Sequence, residues 1–98
     1  MSTELVVFAR FDAAPAQESA LADAIARVVA ATRTESGCLE IRAFRGVRDA
    51  SRIIIHSRWR DSAAFDEHGL LPHTIEFLER AKTLITHEFD ITRTVRIV

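Results

Sequence analysis

Two histidines and the only tryptophan of the chain lie near its middle, and they are the side chains best suited to chemistry. His68 and His73 carry imidazoles, which exchange protons near neutral pH, so either could act as a general base. Trp59 follows an apolar stretch and offers a flat surface on which an aromatic ligand could stack. The structural alternative is that Trp59 is a core aromatic residue and His68 a hydrated residue at a helix end.

The spacing of the two histidines does not match a helical metal pair. Residues five apart on an unbroken helix point about 140° apart around its axis. Gly69 and Pro72 interrupt the helix between His68 and His73, so the two imidazoles can still converge. No third ligand is evident in the sequence, and we therefore predict no metal site.

The remaining histidines and the cysteine are assigned structural roles. His56 lies in the middle of a predicted strand, on the face opposite Trp59, where it could pack between sheets. His87 ends a predicted helix, where a cation is favourable. Cys38 begins a strand and should behave as a small apolar group rather than as a nucleophile.

Hydrophobic periodicity predicts an α+β protein with the order β-α-β-β-α-β. This is the ferredoxin-like arrangement, in which one four-stranded antiparallel sheet carries helices on one face. Strands are predicted at residues 4–11, 38–44, 52–59 and 89–98. A helix is predicted from Pro15 to about Glu35, with Gly37 as its left-handed stop.

The segment after the third strand should contain two helices. Asp61 is expected to cap a short helix that breaks at Gly69, and Pro72 to open a longer one that runs to about Thr86. The inner stripe of the longer helix is predicted to comprise Ile75, Leu78, Ala81, Lys82 and Ile85.

One face of the predicted sheet has no helix to cover it. The first strand is apolar on both faces, which is typical of a sheet that is covered on both sides. An exposed apolar surface of this kind is seldom left in water, and twofold self-association is the commonest way to cover it. We therefore predict a homodimer through the uncovered face, which includes Val6, Phe8, Phe44, Ile54 and His56.

The composition indicates a single globular domain over residues 1–98. With 48% hydrophobic and 28% charged residues, the chain is not of the disordered class. A net charge of −1 favours neither nucleic acid nor a membrane as a partner. The sequence shows no leader and no apolar run long enough to span a bilayer, and its single cysteine cannot form an internal disulfide. We expect a soluble, cytoplasmic protein.

Several short motifs occur in this order along the chain: Gly37-Cys38-Leu39, Arg58-Trp59-Arg60-Asp61, Phe65, His68-x₃-Pro72-His73 and Phe77. Their order and spacing resemble the antibiotic biosynthesis monooxygenase (ABM) domain. The resemblance covers essentially the whole chain from Leu5 to the last strand, and it implies a dimeric α+β barrel in which two ferredoxin-like sheets pack face to face.

The resemblance leaves several activities open, because fold alone does not fix function. Members of the family include cofactor-independent monooxygenases of polyketides or quinols, haem-degrading enzymes and an isomerase. In the monooxygenases an Asn four residues before the tryptophan helps to bind substrate, and here that position is Ile55. The chain has no tyrosine, so Phe65 stands where a phenol could have served. In haem-degrading members an Asn on the first strand supports the iron, and Ala9 at that position argues against haem.

We favour a cofactor-independent monooxygenase that oxidises a small aromatic compound, a hydroquinone or a polyketide phenol. The substrate would stack near Trp59, and His68 or His73 would take its phenolic proton, leaving an anion able to pass an electron to O₂. The alternatives are a homodimeric ligand-binding protein without activity and a proton-transfer isomerase that uses the same histidines. The expected pocket lining is Ile53, Ile55, Ser57, Phe65, Leu70, Leu71 and Phe77.

Overall fold

A computed structural model of the chain describes residues 4–98 and confirms the ferredoxin-like order. The elements are β1 (Leu5–Asp12), α1 (Glu18–Thr32), β2 (Cys38–Arg45), β3 (Arg52–Trp59), α2 (Ser62–His68), α3 (Pro72–Lys82) and β4 (Asp90–Thr94). The four strands form one antiparallel sheet in the order β2-β3-β1-β4.

The register of the sheet sets which end of the molecule carries the candidate residues. Leu5, the first residue of β1, pairs with Trp59 at the end of β3, and Asp12 pairs with Arg52 at the opposite end. Cys38 at the start of β2 also pairs with Trp59. The segments that precede β2 and follow β3 therefore meet at the Trp59 end of the sheet.

Alternation along β1 and β3 separates a covered face from an open one. Leu5, Val7 and Phe11 are buried beneath the helices, as are Ile53, Ile55, Ser57 and Trp59 on β3. The buried residues of α1 complete the main core: Leu21, Ile25, Val28, Val29 and Thr32. On the open face Phe8 and Phe44 remain 43% and 53% exposed, which agrees with the predicted division of the sheet.

The ends of α1 differ from the prediction. The helix begins at Glu18 rather than at Pro15, because Ala16 adopts a left-handed backbone with φ of 67°. It ends at Thr32, whose hydroxyl donates back to the Val28 carbonyl. None of the glycines in the described chain has a positive φ, so the expected left-handed stop at Gly37 was wrong.

Gly37 is required for a close approach instead. A Cβ at this position would lie 2.5 Å from the Cβ of Ala64 in the first turn of α2. The loop between α1 and β2 therefore lies directly against α2, because a side chain at residue 37 would keep the two segments apart.

The last two elements are shorter than predicted. The third helix ends at Lys82 rather than near Thr86, and it buries Thr74, Phe77 and Ala81. Of the predicted inner stripe, Ala81 is buried, and Leu78 and Ile85 pack partly buried against the core. Ile75 is 44% exposed and Lys82 is also exposed, so the buried stripe includes Thr74 and Phe77 instead. β4 ends at Thr94, and Val95, Ile97 and Val98 are exposed beyond it. Between residues 4 and 98 the helices are too short or too polar to cross a membrane.

Candidate active site

Helix α2 fixes His68 at the Trp59 end of the sheet. Asp61 caps the helix, and its Oδ1 accepts a 2.9 Å hydrogen bond from the Ala64 amide, as predicted. Ala64 is buried against Trp59, which holds the helix against the sheet. His68, the last residue of α2, lies with its ring centroid 4.7 Å from that of Trp59.

A carboxylate that sequence analysis did not identify joins the two histidines. Glu35 Oε2 lies 2.8 Å from Nδ1 of His68 and 2.8 Å from Nε2 of His73. Pro72 begins α3, as predicted, and so places His73 in the first turn of that helix, facing Glu35. The side chains are 11%, 13% and 28% exposed for Glu35, His68 and His73, so the cluster is largely shielded from water.

The hydrogen bonds of this cluster determine which imidazole nitrogens carry hydrogen. An ionised carboxylate only accepts, so Nδ1 of His68 and Nε2 of His73 must both donate to Glu35. Thr74 Oγ1 lies 3.2 Å from the same Nδ1 of His68 and can accept a second, weaker hydrogen bond from it. In a neutral His68 the other nitrogen, Nε2, then has a free lone pair and can accept a proton.

Trp59 lies behind this cluster and is fully buried. Its Nε1–H donates a 2.9 Å hydrogen bond to Ser57 Oγ, two residues earlier on the same face of β3. Phe65 meets the indole edge-on, with ring centroids 5.4 Å apart. A ligand beside this cluster would therefore contact Ser57, Phe65 and His68, the side chains that stand in front of the indole.

A cavity of about 280 Å³ lies between the sheet and the helices, next to His68. Of the predicted lining, Ile55, Ser57, Phe65, Leu70 and Phe77 face this cavity. Ile53 packs in the main core instead, and Leu71 forms the N-terminal boundary of α3; neither lines the cavity, and neither do Trp59 and His73. The other wall residues are Val7, Ala9, Phe11, Val28, Thr32, Ile41, Asp66, Gly69, Thr74, Leu78, Ile91 and Arg93.

An ion pair between α2 and β4 borders the same cavity. Arg93 Nη2 lies 2.8 Å from Asp66 Oδ1, and the guanidinium carbon lies 4.8 Å from the centre of the Phe65 ring. Both charged groups are about half exposed, so the pair contributes little to stability on its own. It places one cation at the edge of an otherwise apolar pocket.

Cys38 is partly buried beside the cluster and is not activated. Burial raises the pKa of its thiol, and the negative charge of Glu35 raises it further. The thiolate is the nucleophilic form of cysteine, so a raised pKa leaves less of the reactive species at neutral pH. This environment agrees with the structural role expected for Cys38.

The fold and the pocket define a ferredoxin-like α+β protein with room for a small ligand between its helices and its sheet. The chain belongs to the Antibiotic biosynthesis monooxygenase (ABM) family, because the model of that family matches residues 5–80. This confirms the family that the motifs suggested.

One named relative and two solved structures are similar to the chain over nearly its whole length. The chain is 28% identical over 92 residues to the Mycobacterium tuberculosis protein named "Putative monooxygenase Rv0793", covering 94% of this chain and 90% of that one. The structure of Rv0793 superposes with a TM-score of 0.91 at 25% identity, over 97% and 96% of the two chains. The crystal structure of PA3566 from Pseudomonas aeruginosa also gives a TM-score of 0.91, at 30% identity over 100% and 98% of the two chains.

Proposed function

We propose that this protein is a cofactor-independent monooxygenase that oxidises a small hydroquinone or phenol, with His68 as the general base. One observation carries the proposal: His68 lines the apolar cavity while its Nδ1 is hydrogen-bonded to Glu35. An imidazole held by a carboxylate on one side can take a proton on the other, and the carboxylate stabilises the cation that forms.

The reaction needs no reductant other than the substrate. His68 Nε2 takes the phenolic proton, and the electron-rich phenolate passes an electron to O₂. The two radicals combine to form a C–O bond as a peroxide, and cleavage of its O–O bond gives a hydroxylated quinone and water. A hydroquinone thus supplies all the electrons that O₂ requires. The apolar walls exclude water from the reactive intermediates, and the residues that provide them include Val7, Ile41, Ile55 and Ile91.

The size of the cavity favours a substrate with one or two fused rings. At about 280 Å³ it is just below the range of about 300–1,000 Å³ that is typical of sites for drug-sized ligands. It is larger than the cavity of about 150 Å³ that holds one benzene molecule in another protein. A hydroquinone therefore fits better than a polyketide with three or four rings.

In this proposal Trp59 acts through its neighbours rather than by touching the substrate. Its Nε1–H occupies a lone pair of Ser57 Oγ, which leaves the Ser57 hydrogen free to donate towards a phenolic oxygen in the cavity. Its ring also supports His68 from behind. His73, which does not line the cavity, would help to position Glu35.

The first test is oxygen uptake with a panel of hydroquinones, comparing wild type with His68→Gln and His87→Gln. The glutamine side chain in His68→Gln can keep a hydrogen bond but cannot accept the proton, so we expect the rate to fall by about 10²–10⁴-fold. His87 is exposed at the other end of the sheet, and its variant should keep the wild-type rate.

The same assay separates the alternatives. The proposal would be contradicted if wild type consumed oxygen no faster than buffer alone with every hydroquinone of the panel. Binding of those compounds without uptake would indicate a ligand-binding protein, and substrate conversion without oxygen would indicate an isomerase. Equal rates in wild type and His68→Gln would remove His68 from the mechanism.

The proposal includes a homodimer in the cytoplasm. A single free cysteine fits a reducing compartment. The open sheet face presents Phe8, Phe44 and Ile54 together with ion pairs such as Arg58–Glu4, at 2.6 Å, and Arg42–Glu40, at 3.1 Å. A second copy related by a twofold axis would cover the aromatic residues of this face.

Sedimentation velocity tests the dimer. We expect a dimer at micromolar concentration for wild type and a monomer for Phe8→Arg, which places a charge on the open face. Val47 is fully exposed in the loop between β2 and β3, so Val47→Arg is a matched control that should stay dimeric. A monomeric wild type would refute the dimer and leave the oxygen-uptake test unaffected.

A further inference from the structure

We propose that Glu35, His68 and His73 bind one divalent transition-metal ion of the zinc or iron(II) class. The chain presents two imidazole nitrogens and one carboxylate oxygen at a single point, although His73 and Glu35 are 38 residues apart in the sequence. Among residues 4–98, no other group of three or more His, Cys, Asp or Glu side chains is arranged to hold an ion.

The distances suit a shared ion. Ligand atoms that bind one zinc ion through bonds of about 2.0–2.2 Å lie about 3–3.5 Å from one another. Both imidazole nitrogens lie 2.8 Å from Glu35 Oε2, and all three atoms lie within 4.8 Å of each other. Small rotations of the side chains therefore place a single ion within bonding distance of all three atoms.

The donor set selects the class of ion. Calcium and magnesium prefer oxygen ligands throughout, whereas imidazole nitrogen suits zinc, iron, cobalt, nickel and copper. Two histidines and one carboxylate leave further coordination positions open for water or a ligand, as in metal sites that exchange ligands. The site is partly shielded, because Glu35 and His68 are only 11% and 13% exposed.

Metal binding and the proton transfer proposed above exclude each other at His68. Coordination through Nδ1 needs the lone pair of that nitrogen, so the ring hydrogen must move to Nε2. Nε2 then donates instead of accepting and can no longer take a proton from a substrate. An ion in this site would therefore inhibit an oxidation that depends on His68.

Cobalt(II) is the probe that reports both occupancy and ligands. Metal-stripped protein titrated with Co²⁺ should show visible d–d bands that saturate at one ion per chain, and Zn²⁺ should abolish them by displacement. Glu35→Gln and His73→Ala should each raise the Kd at least about tenfold, the smallest effect usual for loss of an outer-shell partner. His87→Ala removes a histidine that pairs with Asp12, away from the cluster, and should leave the Kd unchanged.

Binding is measured without substrate, so the result stands whether or not the oxidation is found. An unchanged Kd in both Glu35→Gln and His73→Ala, with circular dichroism confirming that both are folded, would overturn the proposal. So would saturation below one ion per chain, or a strong near-ultraviolet sulfur-to-cobalt band, which would assign the ion to Cys38. If wild type does oxidise a hydroquinone, Zn²⁺ should inhibit it and His73→Ala should be less sensitive.

Discussion

Glu35 and Asp12 are carboxylates at opposite ends of the same sheet, and both accept hydrogen bonds from histidine. Asp12 pairs with His87 at 2.9 Å, and also with Arg52 at 3.0 Å and with Arg10 at 3.5 Å. The ion pairs of Glu35 within residues 4–98 are with His68 and His73 alone. Asp12 thus has two permanent cations beside its histidine, whereas the partners of Glu35 are both groups that can gain or lose a proton.

This difference shows how one type of residue can serve two purposes. Guanidinium groups stay protonated at every physiological pH, so Arg10 and Arg52 keep their charge and Asp12 stays bound to strand residues. The imidazoles around Glu35 change their hydrogen-bonding state, so the same kind of carboxylate can take part in proton transfer or metal binding. The cavity is lined by His68, a partner of Glu35, and by none of the charged partners of Asp12.

The largest expected difference between the two ends of the sheet is in the rate of oxygen uptake when each carboxylate is replaced by its amide. Glu35→Gln is expected to lower the rate of oxygen uptake by about a hundredfold or more, because an amide neither fixes the Nδ1–H form of His68 nor stabilises its cation. Asp12→Asn is expected to keep the rate within about twofold. Rates are measured with the hydroquinone that wild type oxidises fastest, and equal losses in the two variants would abolish the distinction.

For stability the order should be reversed: Asp12→Asn should lose more free energy of unfolding than Glu35→Gln. Burial raises the pKa of Asp12, but hydrogen bonds from Arg52 and His87 outweigh burial and hold the pKa below its ordinary value of 3.8. A carboxyl group with a lowered pKa stabilises the fold above its unfolded pKa, and that contribution is lost as the pH falls through the folded pKa.

Urea unfolding at several pH values measures this effect. At pH 7 Asp12→Asn should lower the free energy of unfolding by about 1–2 kcal/mol, the cost of weakening charge-assisted hydrogen bonds. The difference from wild type should shrink steadily as the pH falls below about 4. A difference that stays constant down to pH 2 would show that the charge of Asp12 contributes nothing.

The smallest expected effect is on the thiol of Cys38, which senses the charge of Glu35. Burial is the main cause of its raised pKa and remains in Glu35→Gln, whereas the contribution of the carboxylate is removed. Alkylation by iodoacetamide at pH 8 should therefore become faster in Glu35→Gln, by less than about tenfold, because more of the thiol is present as thiolate. Asp12→Asn should react like wild type, and faster labelling in that variant would indicate a general loosening of the fold.

Sequence periodicity predicted the sheet well because local patterns determine it. Alternation along β1 and β3 gave the covered and open faces, and Asp61 and Pro72 marked the starts of α2 and α3 correctly. The start of α1 was predicted wrongly because Ala16 has a left-handed backbone. Alanine seldom adopts that conformation, so the residue type gives no indication of it. The inner stripe of α3 was predicted only in part, because Ala81 is buried as expected but the polar Thr74 is buried at the cavity in place of Ile75.

The candidate site was predictable only in part, since it depends on contacts between distant segments. His68 and His73 were identified from their chemistry and the break between them. Glu35, which is 33 residues before His68, was read as the end of a helix, and nothing in its local sequence marks it as their partner. The burial of Trp59 behind Ser57 and Phe65 follows from packing that residue type alone does not specify.

The close contact between Gly37 and Ala64 determines how far Glu35 lies from His68. A methyl group on residue 37 would meet the methyl of Ala64 at 2.5 Å, and one of the two backbones would have to retreat. Glu35 lies in that loop and His68 in α2, so this displacement would lengthen the hydrogen bond between the carboxylate and the imidazole. A side chain at residue 37 is therefore compatible with this spacing only if residue 64 becomes smaller.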